Sequence, residues 1–143
     1  MSQRKIRVLI VDDSNFMRKV ISGLLSRDPG IEVVGKAGSG AEALSIIPYL
    51  DPDVVTLDVE MNGLSGIETL ERIMAMSPRP VLMLSAYTRE GAEVTLEALR
   101  RGAVDFLEKP SGVVSLDMHT VEAHLTEKVK MAARSRPRRM PAP

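Results

Sequence analysis

Apolar and polar positions along this chain fall into two alternating rhythms. Ile6 to Val11, Val54 to Leu57 and Val81 to Leu84 are almost unbroken apolar runs, as strands buried on both faces require. Ile31 to Lys36 sets Glu32 and Lys36 against Ile31, Val33 and Val34, the pattern of an edge strand. Ala103 to Leu107 is interrupted by Asp105 and suits the opposite edge. Between these runs the apolar residues recur every three or four positions, which predicts helices. The first carries Phe16, Val20, Ile21, Leu24 and Leu25 and is stopped by Asp28-Pro29-Gly30. A second starts at Ser39 as N-cap, carries Ala41, Leu44 and Ile47, and is limited by Pro48. Ser65 to Glu68 has the form of a capping box, opening a third helix with Ile67, Leu70, Ile73 and Met74 inward. The fourth spans Thr88 to Arg101 and ends at Gly102. The last begins near Ser115, with Val121, Leu125, Val129 and Ala132 on one face.

Strand and helix thus alternate five times, which predicts an α/β fold with a parallel sheet covered on both faces and right-handed crossovers. With the second and fifth strands at the edges, the order 2-1-3-4-5 follows, a flavodoxin-like, doubly wound sheet. Its switch point lies between strands one and three, outside whose carboxyl ends ligands collect in such sheets. Both strands end in acids: Asp12-Asp13 after the first and Asp58 after the third.

Composition narrows the possibilities without redirecting them. The length of 143 residues predicts one domain, and the 44% hydrophobic content is ordinary for one with a real core. Two Phe, two Tyr and no Trp mean that aliphatic residues must fill that core, with the nine methionines as filler. Zero formal net charge gives no reason to expect nucleic acid as a partner. The absence of Cys removes disulfides, thiol nucleophiles and thiolate metal sites. With no membrane insertion and no signal pattern, a cytoplasmic protein is expected. His119 and His124 lie five apart without companions that would make a ligand set, and read as helix-surface residues. From Arg134 to Pro143 four arginines and three prolines replace the apolar period, so residues 134–143 read as a disordered linker.

Three carboxylates at one rim, Asp12, Asp13 and Asp58, repel one another unless a cation sits among them. Hard oxygen donors without His or Cys point to Mg²⁺, which binds through few carboxylates plus phosphate oxygens. Lys109 completes the rim from the end of the fifth strand, and Ser85 adds a hydroxyl at the end of the fourth. Three carboxylates, one Mg²⁺ and one lysine sum to zero. A phosphoryl group carrying about −2 on Asp58 would disturb that balance and could bias a two-state element.

Val8-Leu-Ile-Val-Asp12-Asp13-Ser14, Asp58-Val-Glu60-Met, Leu84-Ser85-Ala and Phe106-Leu-Glu-Lys109-Pro110 together resemble the receiver domain of two-component response regulators, over about Lys5 to Ala133. The resemblance implies that residues 1–133 form the receiver and that Asp58 accepts phosphate from a chemotaxis histidine kinase. It implies Mg²⁺ held by Asp13, Asp58 and the Glu60 carbonyl, with Asp12 holding a metal water. Ser85 and Lys109 would contact the phosphoryl group, Phe106 would be an aromatic switch, and Lys109-Pro110 a cis peptide. Thr56-Leu-Asp58-Val-Glu-Met and the segment from Ser85 to Pro110 are similar, more narrowly, to the regulatory half of chemotaxis protein-glutamate methylesterases. That likeness implies control of the chain's own C-terminal methylesterase/glutamine deamidase domain, with chemoreceptors as indirect partners. The alternative is a free-standing receiver that docks a partner protein on phosphorylation. A stand-alone acyl-phosphate phosphatase is a third reading. The chain departs from the receiver pattern at Asn62, where proline is usual, and at Ser65.

Overall fold

The computed structural model describes residues 4–86, 89–110 and 118–135. Five strands, β1 (Ile6–Val11), β2 (Ile31–Ala37), β3 (Val54–Asp58), β4 (Val81–Ser85) and β5 (Asp105–Glu108), form one parallel sheet in the order β2-β1-β3-β4-β5. The helices are α1 (Asn15–Ser26), α2 (Gly40–Leu50), α3 (Gly66–Met76), α4 (Arg89–Arg100) and α5 (Met118–Arg134). The α/β architecture and strand order are those expected from the sequence. The predicted tail falls largely outside the described residues, as do Tyr87, Thr88 and the expected start of the last helix at Ser115. Arg134, assigned to the tail, closes α5.

Strand alternation divides the core into two layers. Leu9, Val11, Val55, Leu57, Val81 and Met83 pack against Ala43 and Ile47 of α2, Leu70 and Ile73 of α3 and Ala98 of α4. Val8, Ile10, Val54, Leu82 and Leu84 pack against Ile21, Leu24 and Leu25 of α1 and Leu125, Val129 and Ala132 of α5. Burial on both faces is why the three central strands read as continuous apolar runs.

Several local expectations are corrected. Phe16 was expected on the buried face of α1 but is 63% exposed, and in α2 the buried stripe runs through Ala43 rather than Ala41. Among the described residues Met83 is fully buried and Met17, Met61 and Met74 pack partly buried against the core, while Met76 and Met131 lie exposed. Pro48 does not end α2, which continues to Leu50 and closes through the Asp51 N–H to the Ile47 carbonyl at 2.8 Å. The reason is tertiary: the Leu50 side chain lies over Gly35, where a Cβ would come within 2.6 Å of it. Proline removes one hydrogen bond in the last turn, and that packing offsets the loss. The Lys109–Pro110 peptide is not cis, since no cis bond occurs among the described residues. The isomers of an X–Pro bond differ by only about 1 kcal/mol, so local sequence does not decide between them.

The site is positioned by one-residue continuations of the ladders. The Asp12 N–H donates to the Ala37 carbonyl at 3.1 Å, the Val59 N–H to Leu84 at 2.9 Å and the Lys109 N–H to Ser85 at 2.8 Å. Beyond Asp58 the chain turns through Gly63 at φ +76° into the capping box of Ser65 and Glu68. Gly66 then lies so close to the end of β3 that a Cβ would sit 2.4 Å from the Asp58 carbonyl oxygen. Gly66→Ala is therefore expected to lower stability by about 1–3 kcal/mol, read from urea unfolding, because backbone rather than a flexible side chain must move.

Candidate functional site: an acidic rim bridged by one lysine

The carboxyl ends of β1, β3 and β5 converge on the α1/α5 side of the sheet. Asp12 and Asp58 follow the alternation of Val8, Ile10 and Val54, and Lys109 that of Leu107, all facing that layer. Asp12 is 1% and Asp58 2% exposed, while Asp13 stands exposed beside them. Carboxylate oxygens of all three lie within 4.8 Å of one another. Lys109 Nζ reaches across β4 to within 3.0 Å of Asp58 Oδ1 and 3.1 Å of Asp12 Oδ2. A point charge on a long flexible stem suits that reach.

Backbone donors fix the acids. Asp12 Oδ1 accepts the Ser14 N–H at 2.9 Å, and Asp58 Oδ1 accepts the Glu60 N–H at 3.0 Å. Asp13 Oδ2 accepts the Asn62 N–H at 3.3 Å. Arg18, from the first turn of α1, donates to the Asp12 carbonyl at 2.6 Å. Asp58 Oδ2 is buried without a partner, and Asp12 Oδ2 makes no hydrogen bond although Lys109 Nζ is near it. Thr56 Oγ1, on the same face of β3, is likewise buried and unpartnered.

Burial pushes the Asp58 carboxyl up to about 6, against the pull of the Lys109 ammonium and with the Asp12 charge adding to the rise. Burial by itself would lower Lys109, but its contacts with Asp58 and Asp12 outweigh that and hold it above its usual value. One ammonium against three carboxylates leaves a local excess of about two negative charges, and buried lone pairs remain free. Such an all-oxygen donor set fits a hard divalent cation. A cleft of about 450 Å³ opens over these residues, lined by Asp13, Asp58, Glu60, Asn62, Ser65 and Lys109.

Of the residues singled out in the sequence, the structure thus brings Asp12, Asp13, Asp58, Glu60 and Lys109 together. Ser85 ends β4 with the alternation of Val81 and Met83, so it faces the α4 side. There it borders a separate, mainly apolar recess of about 420 Å³ with Ala92, Thr95, Leu96 and Phe106. Phe106 is 45% exposed, and Lys128 Nζ of α5 stands 5.9 Å from its ring centre while pairing with Asp105 at 2.8 Å. His124 is exposed, and the His119 side chain lies outside the described residues. Sequence reasoning missed Arg18, the Asn62 amide and Thr56. The departure from proline at Asn62 was the one visible signal, because it returns an N–H to that position.

Residues 8–120 match the family described as Response regulator receiver domain, and the chain belongs to it. The relatives include protein-glutamate methylesterase/protein-glutamine glutaminase from Symbiobacterium thermophilum, 57% identical over 136 residues. The protein of the same description from Methanococcus maripaludis is 52% identical over 134 residues. These alignments cover 95% and 94% of this chain but only 38% and 37% of the relatives, so the chain spans less than two fifths of their length. The response regulator domain of Thermotoga maritima CheB superposes with a TM-score of 0.83 at 48% identity, covering 94% of this chain and all of that one. Among the described residues no helix is long and apolar enough to cross a membrane.

The raised Asp58 value has a sign that can be measured. The cation-free folded chain binds the Asp58 proton more tightly than the unfolded chain, whose ordinary value is 3.8. Asp58's contribution to stability is therefore present below that value and lost as pH rises through about 6. Without divalent cation, the carbon-13 resonance of the Asp58 carboxyl is expected to titrate near 6. Unfolding free energy should fall with pH across that interval, and Asp58→Asn should remove that part of the slope.

Proposed function

We propose that this chain is a phosphorylation-controlled switch. Asp58 accepts a phosphoryl group from a histidine kinase of a chemotaxis system in the cytoplasm, with Mg²⁺ bound at the acidic rim. The observation that carries this reading is the buried, unpartnered Asp58 Oδ2 within a cluster of three carboxylates that share one lysine. Asp12, Asp13, Asp58 and the Glu60 carbonyl are the groups that would hold the ion. Bound there, Mg²⁺ supplies charge neutralisation for phosphoryl oxygens.

The chain's own residues account for the transfer. Asp58 Oδ1 is held by the Glu60 N–H and Lys109, which leaves Oδ2 as the oxygen with free lone pairs. A bond forms from that oxygen to phosphorus as the phosphorus–nitrogen bond of the donor histidine breaks, and the imidazole leaves and takes up a proton from water. Lys109 then meets phosphoryl oxygens carrying about −2 in place of a carboxylate carrying −1. Ser85 and Phe106, beside the α4 recess, are the groups that would register the new charge. Driving a two-state element from 1:99 to 99:1 takes about 5.5 kcal/mol of differential interaction. Charge-assisted hydrogen bonds from Lys109 supply part of it.

The relatives support a reading of the attached activity. We infer that residues 1–133 belong to the regulatory domain and that the chain beyond the end of α5 is the start of a linker. That linker leads to a protein-glutamate methylesterase/glutamine deamidase domain acting on chemoreceptors. The natural reading frame is expected to continue past Pro143 into that hydrolase; a stop there would favour the free-standing receiver instead. Incubation with labelled acetyl phosphate and Mg²⁺ should label the chain once per molecule, and Asp58→Asn should abolish the label. Undiminished labelling of the variant would overturn the assignment.

A further inference from the structure

Asp12 and Asp58 are each buried and held by a neighbouring backbone N–H and by Lys109, whereas Asp13 is exposed. An exposed carboxylate within 4.8 Å of two others is driven toward solvent by repulsion. Opposing that is the Asn62 N–H, which reaches Asp13 Oδ2 at 3.3 Å across 49 residues of sequence. The amide is itself firmly placed. Met61 packs partly buried against the core, Gly63 turns the chain at φ +76°, and the Ser65–Glu68 capping box closes the loop. The donor is a backbone amide and the acceptor a side chain free to rotate, so the bond orders the acid.

We propose that the Asn62 backbone amide is a positioning group for the cation site: it holds the Asp13 carboxylate at the rim with its remaining lone pairs available, and so raises affinity for Mg²⁺. This rests on reading the three acids as cation ligands. The N–H takes up one lone pair of Oδ2 in a charge-assisted bond. Partners that orient a ligand in this way alter metal affinity about 10–100-fold when removed. A 3.3 Å bond at an exposed site belongs at the lower end of that range. The same bond ties the loop after Asp58 to the loop after β1.

Proline tests the amide directly because it has no N–H, and Asn62 is not in the left-handed region that would exclude the ring. Mg²⁺ affinity measured by calorimetry should fall about tenfold in Asn62→Pro and stay unchanged in Asn62→Ala, which keeps the amide. Equal affinity in Asn62→Pro and the unaltered chain would overturn the proposal, as would an equal loss in Asn62→Ala. Amide hydrogen exchange at Asn62 without Mg²⁺ provides a readout independent of proline's own restriction of Met61. Exchange should be slower in the unaltered chain than in Asp13→Ala, and equal rates would also overturn the proposal. Should the unaltered chain take up no Mg²⁺, the reading of the rim as a cation site fails and the affinity claim falls with it. The exchange measurement would still report separately whether Asn62 holds Asp13.

Discussion

Two carboxylates removed from water beside a third, with a single ammonium between them, is the constraint around which the rest of this molecule is arranged. Burying an unpaired carboxylate costs several kcal/mol, and breaking a buried pair is strongly destabilising. Lys109 must therefore reach both Asp12 and Asp58, and its stem has to cross the width of β4 to do so. That reach depends on the ladder continuing one residue past β5, where the Lys109 N–H donates to Ser85. The central strands, buried on both sides, set the floor beneath these groups. The remaining imbalance of charge, on oxygen donors alone, fits the rim to a hard divalent cation.

The sheet separates the acidic rim from the recess under α4. Asp12, Asp58 and Lys109 lie on the α1/α5 side, while Ser85 and Phe106 border the recess under α4. Both groups meet at the ends of adjacent strands, so a change at Asp58 is one ladder rung from Ser85. The outward Phe106 ring is not free of interactions, because Lys128 stands over it and is itself anchored on Asp105. A cation over an exposed ring contributes about 0.5–1 kcal/mol. At the far end of α4, Arg101 pairs with Glu71 of α3 and Glu97, fastening that end of the helix to its neighbour.

Away from the site, Arg79 is a structural element that hydropathy does not reveal. It is only 9% exposed and donates to the Pro52 carbonyl at 2.9 Å, the Ser77 carbonyl at 3.1 Å and Asp51 Oδ1 at 3.2 Å. The guanidinium therefore satisfies backbone carbonyls where α2 enters β3 and where α3 enters β4. Its planar fork suits several acceptors at once. Gly40 plays a comparable part by excluding a side chain where α2 meets Thr69 of α3.

How much could be read from the chain by itself depended on the range of the interaction. Strand and helix positions, the sheet order and the acids at the ends of β1 and β3 were legible, because the period of apolar residues is local and strands buried on both faces leave an unmistakable run. The capping box at Ser65 was legible for the same reason. What the sequence left open were matters of which surfaces meet. Phe16 and Ala41 obeyed helical spacing yet stayed outside the core, since spacing defines a stripe but not the width of the partner that covers it. Leu50 carries α2 past Pro48 and packs over Gly35 of β2, a contact between distant parts of the chain. The Asn62 amide and the Arg18 guanidinium came to the acids through the tertiary fold. A backbone N–H has no residue letter, and its direction is fixed only when distant segments are packed together.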